Sequence, residues 1–219
     1  MNMPEDRPYD LEAATAAVGA GIAALVNPIA GLLAAGAIAY ANNRQIRQWV
    51  SIADARLAHA ERPFDADDPE LMATFNRLTI GAMQTSRTDK MEMLADALAN
   101  TRSSPGNPDL LQEVLASLVV SYSPEHIKML RLVAEPGPTL RAYQIGADGY
   151  DRPLGELLPE TILKGHDDPH LVAEQIWDDL ARDGLLLHRY GPAMTPSGVG
   201  PADLTERGRR LLCYLRPAG

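Results

Sequence analysis

The chain has 219 residues, with 20 Lys and Arg against 29 Asp and Glu and a formal net charge of -9. Affinity for phosphate comes from Lys and Arg, so this balance excludes a protein whose whole surface grips nucleic acid and leaves room only for a local basic face. A single cysteine, Cys213, excludes an intramolecular disulfide and a cysteine-rich zinc site, and fits a reducing cytoplasm.

The stretch AATAAVGAGIAALVNPIAGLLAAGAIAYA, Ala13 to Ala41, carries no formal charge. A membrane-spanning helix needs about 20 mostly apolar residues, so length permits insertion. Alanine and glycine dilute the run, and Asn27-Pro28 interrupts it. Two readings follow: a hydrophobic small-residue helix or hairpin that enters a membrane, or an Ala-rich hairpin turning at Pro28 inside a soluble core or a large assembly. In both, Gly19, Gly21, Gly31 and Gly36 remove side-chain bulk and let backbones approach closely, which predicts a homo-oligomer. Met1 to Glu12 holds Glu5, Asp6, Asp10 and Glu12 against Arg7 alone, unlike the positive opening of an export signal. Arg44 and Arg47 follow the run and then Trp49, so the positive-inside tendency puts the C-terminal bulk in the cytoplasm and Trp49 near an interface as an anchor.

Low aromatic content and abundant Ala and Leu favour a mainly α fold. The length accommodates one large or two small domains, and the pattern divides at 1–41, 42–122 and 123–219. Asn42 to Arg62 reads as a helix on Ile46, Trp49, Val50, Ala53 and Leu57. Asp65, Asp67 and Asp68 before Pro69 form an acidic helix start. Leu71, Met72, Phe75, Leu78, Thr79 and Met83 make one apolar stripe, Met91, Met93, Leu94, Ala97 and Leu98 a second, and Leu110, Leu111, Val114, Leu115, Leu118 and Val119 a third. Thr88 reads as the cap of the second of these helices. Amphipathic helices with short links make a helical bundle.

Ser123-Pro124-Glu125 opens the next helix, and Glu135 to Pro138 breaks it. Leu154–Leu163 and Leu171–Gly184 follow, the latter closed by Gly184 as its C-terminal cap. Leu185 to Tyr190 reads as a strand, Gly191 to Gly200 as a turn, Ala202 to Leu204 as a returning strand, and Thr205 as the start of a last helix with Leu211, Leu212 and Leu215 inside. Helix, helix, helix, strand, turn, strand, helix is the order of a winged helix-turn-helix, and LTERGRRLLCYL at Leu204 to Leu215 resembles the closing strand and helix of such domains. The resemblance implies that the helix before the wing enters the major groove. That helix carries Glu174, Asp178, Asp179 and Asp183 against Arg182, a surface that repels phosphate. Arg207, Arg209, Arg210 and Arg216, with Arg189 near the turn, are the candidate contacts, and a protein partner suits them better than DNA.

His166-Asp167-Asp168-Pro169-His170 is the densest titratable cluster, but Pro169 prevents one helix face from presenting both histidines to a metal. No nucleophile elbow and no phosphate-cradling loop occurs, and Cys213 reads as a buried, inert thiol among leucines. The expectation is a protein that is not an enzyme, with neither metal nor cofactor.

The segment DPELMATFNRLTIGAMQTSRTDKMEMLADALANT, with the phrase Lys90 to Asn100 inside it, and the following SPEHIKMLRLV resemble bacterial abortive-infection proteins of the Abi-alpha type. That resemblance implies anti-phage defence, in which the N-terminal run harms the membrane and the C-terminal part senses or restrains. The expected location is the bacterial inner membrane with the C-terminal part in the cytoplasm. A soluble oligomeric winged-helix transcriptional regulator, or a structural component of a large assembly, is the alternative.

Overall fold

A computed structural model of the chain describes residues 44–60, 65, 67–101, 109–188, 190–191, 194–199 and 202–217. Gly19, Gly21, Pro28, Gly31, Gly36 and Arg189 lie outside these residues. The described part is mainly helical, in the order α1 (Arg44–Leu57), α2 (Pro69–Met83), α3 (Thr88–Asn100), α4 (Asp109–Ser121), α5 (Pro124–Ala134), α6 (Pro136–Ala142), a 3-10 turn (Ala147–Tyr150), α7 (Leu154–Glu160), α8 (Pro169–Arg182) and α9 (Glu206–Tyr214). Among the described residues no helix is long and apolar enough to cross a membrane.

Local chemistry sets most helix starts. Asp68 accepts from the Glu70 and Leu71 amides at 3.0 and 3.3 Å, satisfying donors that α2 cannot use internally. The start of α3 differs from expectation: Arg87 is the residue in extended conformation, and Thr88 is already helical. The Arg87 guanidinium instead forks onto Glu125 at the start of α5, with bonds of 2.6 and 3.0 Å.

Helix α3 is the hub, packing against α1, α2, α4, α5 and α9. Its residues from Met93 to Ala99 are all buried, so beyond the exposed Thr88, Asp89 and Glu92 of its first turns it lacks the solvent face that an amphipathic stripe implies. Two of its buried residues are charged. Lys90 donates to the Val119, Val120 and Tyr122 carbonyls, which terminate α4 without helical partners. Asp96 pairs with Arg56 of α1 at 2.7 Å. At the far end Asn100 donates to the carbonyls of Tyr214 and Arg216, and Thr101 shares a hydrogen bond with the Tyr214 hydroxyl at 3.0 Å. One hydrophobic core therefore runs from Trp49 on α1 to Leu215 after α9.

The C-terminal helices depart from expectation in two places. Pro136-Gly137-Pro138 does break α5, but α6 starts at once, because proline is tolerated in a first turn where its missing N–H has no helical acceptor. The two expected strands reduce to one antiparallel bridge, Leu186 with Leu204, flanked by bonds from Leu187 N to Asp203 O and from Thr205 N to Leu185 O. The bridge is held by the start of α9. Thr205 accepts from the Gly208 amide at 3.0 Å and donates to the Gly184 carbonyl at 2.7 Å. A Cβ on Gly208 would lie 2.6 Å from the Leu185 carbonyl oxygen, so only glycine lets α9 approach that backbone so closely. Gly184 ends α8 at φ +70° with open space around its Cα, so its requirement is conformational.

Candidate interaction site

Helix α8 packs against both α5 and α7, α9 packs on α5, and the Leu186–Leu204 bridge links the segments that follow α8 and precede α9. Their best-organised polar cluster lies where α5 meets α8. The Ser123 amide donates to His126 Nδ1 at 3.2 Å and Ser123 Oγ lies 2.9 Å from the same nitrogen. An amide N–H can only donate, so Nδ1 is an acceptor and the ring proton sits on Nε2, facing Asp179 Oδ2 at 3.4 Å. Serine, histidine and aspartate thus stand in line, as in a nucleophilic relay. The backbone amide's hold on Nδ1 gives the histidine a different job: it caps α5 and ties it to α8.

The Tyr122 ring stacks on His126 with centroids 4.7 Å apart, and its hydroxyl donates to Asp183 at 2.6 Å. Burial pushes the His126 imidazolium below its ordinary range and the Tyr122 phenol above its own. Both groups are held neutral, as an interhelical clamp requires. Among the described residues no group of three or more His, Cys, Asp or Glu is placed to hold a metal. Asp168 of the 166–170 cluster caps α8, accepting from the Leu171 amide at 3.1 Å.

The acidic residues of α8 divide by role. Asp179 and Asp183 face α5 and Arg182, whereas Glu174 and Asp178 are exposed. A phosphate backbone laid along that outer face meets carboxylates. On α9, Arg209 and Arg210 both pair with Glu206, at 3.5 and 3.1 Å, and Arg207 is half-buried. The arginines expected to act as a cluster are thus shared with an acid and spread around the helix.

Three placements correct the sequence reading. Trp49 is fully buried and donates from Nε1 to Thr79 at 3.2 Å; it shares the inner face of α1 with Ile46 and Ala53, while Arg44 and Arg47 are on the exposed side. Cys213 is exposed, because the turn of α9 sends Leu211, Tyr214 and Leu215 inward and leaves position 213 outside. The third correction is a feature that went unread. An open groove of about 780 Å³ separates α5 and α6 from α9, with Lys128 and Arg131 on one wall and Arg209 and Arg216 on the other. The i, i+3 spacing of Lys128 and Arg131 on the polar face of α5 was the available signal.

No family model, curated protein or solved structure matches this chain.

Proposed function

We propose that the chain is a membrane-associated, self-assembling bacterial effector of the abortive-infection kind, in which residues 13–41 enter the membrane and the helical body carries a winged-helix-like recognition unit for a protein partner. The observation that carries this reading is continuity. The uncharged run leads almost directly into α1, and α1 is locked into the body by Trp49 and Ala53, both fully buried. Through α1 the segment that follows the run is tied to α3, against which α1 packs.

The order α5, α7, α8, bridge, α9, with α6 and the 3-10 turn inserted after α5, supports the winged-helix-like assignment, the Leu186–Leu204 bridge standing for the base of a wing. The exposed carboxylates of α8 argue against DNA as its target.

The test compares the intact chain with a variant lacking residues 1–41. The intact chain is expected in the membrane fraction and the truncated one in the soluble fraction, with liposome leakage only for the former. Leu25→Lys or Ile29→Lys places an ammonium mid-run, costing about 2.5 to 3.5 kcal/mol of insertion, and relieves leakage. An intact chain that stays wholly soluble and leaves liposomes sealed overturns the proposal. Sequence-selective duplex binding in that fraction would assign a soluble regulator instead.

A further inference from the structure

The geometry points to the groove between α5, α6 and α9 as the docking site for an acidic, amphipathic peptide segment of a partner protein. The inference goes beyond the proposed function and does not depend on whether residues 13–41 enter a membrane.

Charge is the first argument. In a chain of net charge -9, this groove gathers Lys128, Arg131, Arg209 and Arg216 against Glu135. Lys128 also lies 3.9 Å from Glu125 and Arg209 3.5 Å from Glu206, so four cations stand against three carboxylates, and the groove stays positive on an otherwise negative molecule, which attracts anions and disfavours basic segments. The base of the groove is the second argument. Leu204, Leu212 and Tyr143 line it, with Ala134 and Pro138 beside them, so the surface between the cationic walls is apolar. A ligand that satisfies both walls and base needs an apolar ridge flanked by carboxylates. That is the pattern of an acidic amphipathic helix laid between two helices.

The same walls suit phosphate poorly. Phosphate sites draw on converging backbone N–H groups, and the α6 turn bordering this groove is Pro136-Gly137-Pro138, in which two residues of three have none. Arg131 already donates to the Leu215 carbonyl at 3.1 Å, and Arg209 shares Glu206. Lys128 and Arg131 come from one wall and Arg209 and Arg216 from the other, a separation that serves two separate carboxylates better than one compact anion.

Cys213 lines the groove, is exposed and is the chain's one cysteine, so its alkylation by neutral iodoacetamide reports occupancy directly. The experiment uses the full chain and a synthetic helical peptide with leucines on one face and glutamates on both flanks. Matched peptides carry Gln or Lys in place of Glu, and competitors are a duplex oligonucleotide and phosphatidylserine vesicles. Saturable binding of the Glu peptide, with slowed Cys213 alkylation, is expected. The Gln peptide should bind about tenfold more weakly, as should the Glu peptide to K128E/R209E, in line with two or three partly exposed ion pairs. K128Q/R209Q removes the same charges without placing new acids near Glu125 and Glu206, and retains the test should the reversed variant unfold. Arg152→Glu, which lies outside the groove, should bind like the parent.

Absence of peptide binding overturns the inference, as does binding that ignores the Glu-to-Gln change. So does displacement by duplex DNA or by vesicles at lower concentration than unlabelled peptide, which would make the groove a nucleic-acid or lipid contact.

Discussion

Helices α3 and α9 are both short and rich in charge, yet the fold uses them in opposite ways. In α3 the charged residues Lys90 and Asp96 are inside, 7 and 8 % exposed, and each is spent on a neighbouring helix. In α9 the charged residues Glu206, Arg209 and Arg210 satisfy one another near the surface, and one apolar face does the packing. Asp89 and Glu92 stay at the surface, but on the side of α3 packed against other helices a polar group has nowhere to go but another helix's carbonyls or counter-ion. An outer helix keeps its charges at the surface, paired with one another within reach of solvent. The polar residues that hold the inner face of α3 are therefore distinct from those that line the groove, where Arg131 also bonds the body through the Leu215 carbonyl.

The largest expected effect lies on the packing side of this contrast. Leu94 of α3 is fully buried between helices, whereas Leu212 of α9 is only partly covered and borders the groove. Leu94→Ala should cost about 2 to 5 kcal/mol of unfolding free energy by urea titration, through lost burial and the cavity left behind. Leu212→Ala should cost under about 1.5 kcal/mol, since less area is buried at the outset. Equal losses at the two positions would mean that α9 is as deeply integrated as α3, and the contrast would fail.

Much of the local structure was legible because its causes are local. Asp68, Ser123 and Thr205 announce helix starts through side chains that reach only two or three residues ahead, and Gly184 announces a helix end through its φ. Helix α6 was hidden because Pro136-Gly137-Pro138 breaks one helix and starts another with the same residues. The strands were over-read: Leu185 to Leu187 are apolar because Leu185 and Leu186 fill the core next to α9, not because they pair along their length. The groups that matter most to the body were illegible for a different reason. Lys90 meets carbonyls about 30 residues away and Asp96 meets Arg56 40 residues earlier, and a stripe of methionines and leucines around them said nothing of either partner. The groove shares that fate, since its cations come from α5, α9 and the residues just after α9, and only tertiary packing sets them face to face.

A second, smaller effect follows from the buried ammonium. Burial, with Arg87 adding to it, pushes the Lys90 pKa from 10.5 down to about 8, while the carbonyls at the negative end of α4 work to keep the proton on. A lysine whose folded pKa lies below its unfolded value binds fewer protons in the folded state between those two pH values. Stability should therefore rise with pH between about 8 and 10.5, by at most about 3 kcal/mol, and be flat with respect to this group below pH 8. Lys90→Met removes the titration. The difference between parent and variant across pH 7 to 10.5, measured by denaturant unfolding, isolates it. A difference that stays constant would show that the α4 carbonyls fully offset the burial.

The smallest effect belongs to α9, where Glu206 is fully exposed and pairs with both Arg209 and Arg210. Exposed ion pairs gain little in water, because solvent screens the attraction and two long side chains lose freedom in holding it. Glu206→Gln keeps the side chain's size, so the urea midpoint should move no further than replicate scatter. The same change releases Arg209 from a competing carboxylate beside the groove. Affinity for the acidic peptide should then rise about twofold, and its salt dependence should steepen, because one more cation is offered to the ligand. The two readouts are independent, which gives the variant its use. A clear drop in midpoint would mean that the α9 charges carry structure after all, as those of α3 do. An unmoved midpoint together with unchanged peptide affinity would place Arg209 outside the docking surface and leave Lys128, Arg131 and Arg216 to define it.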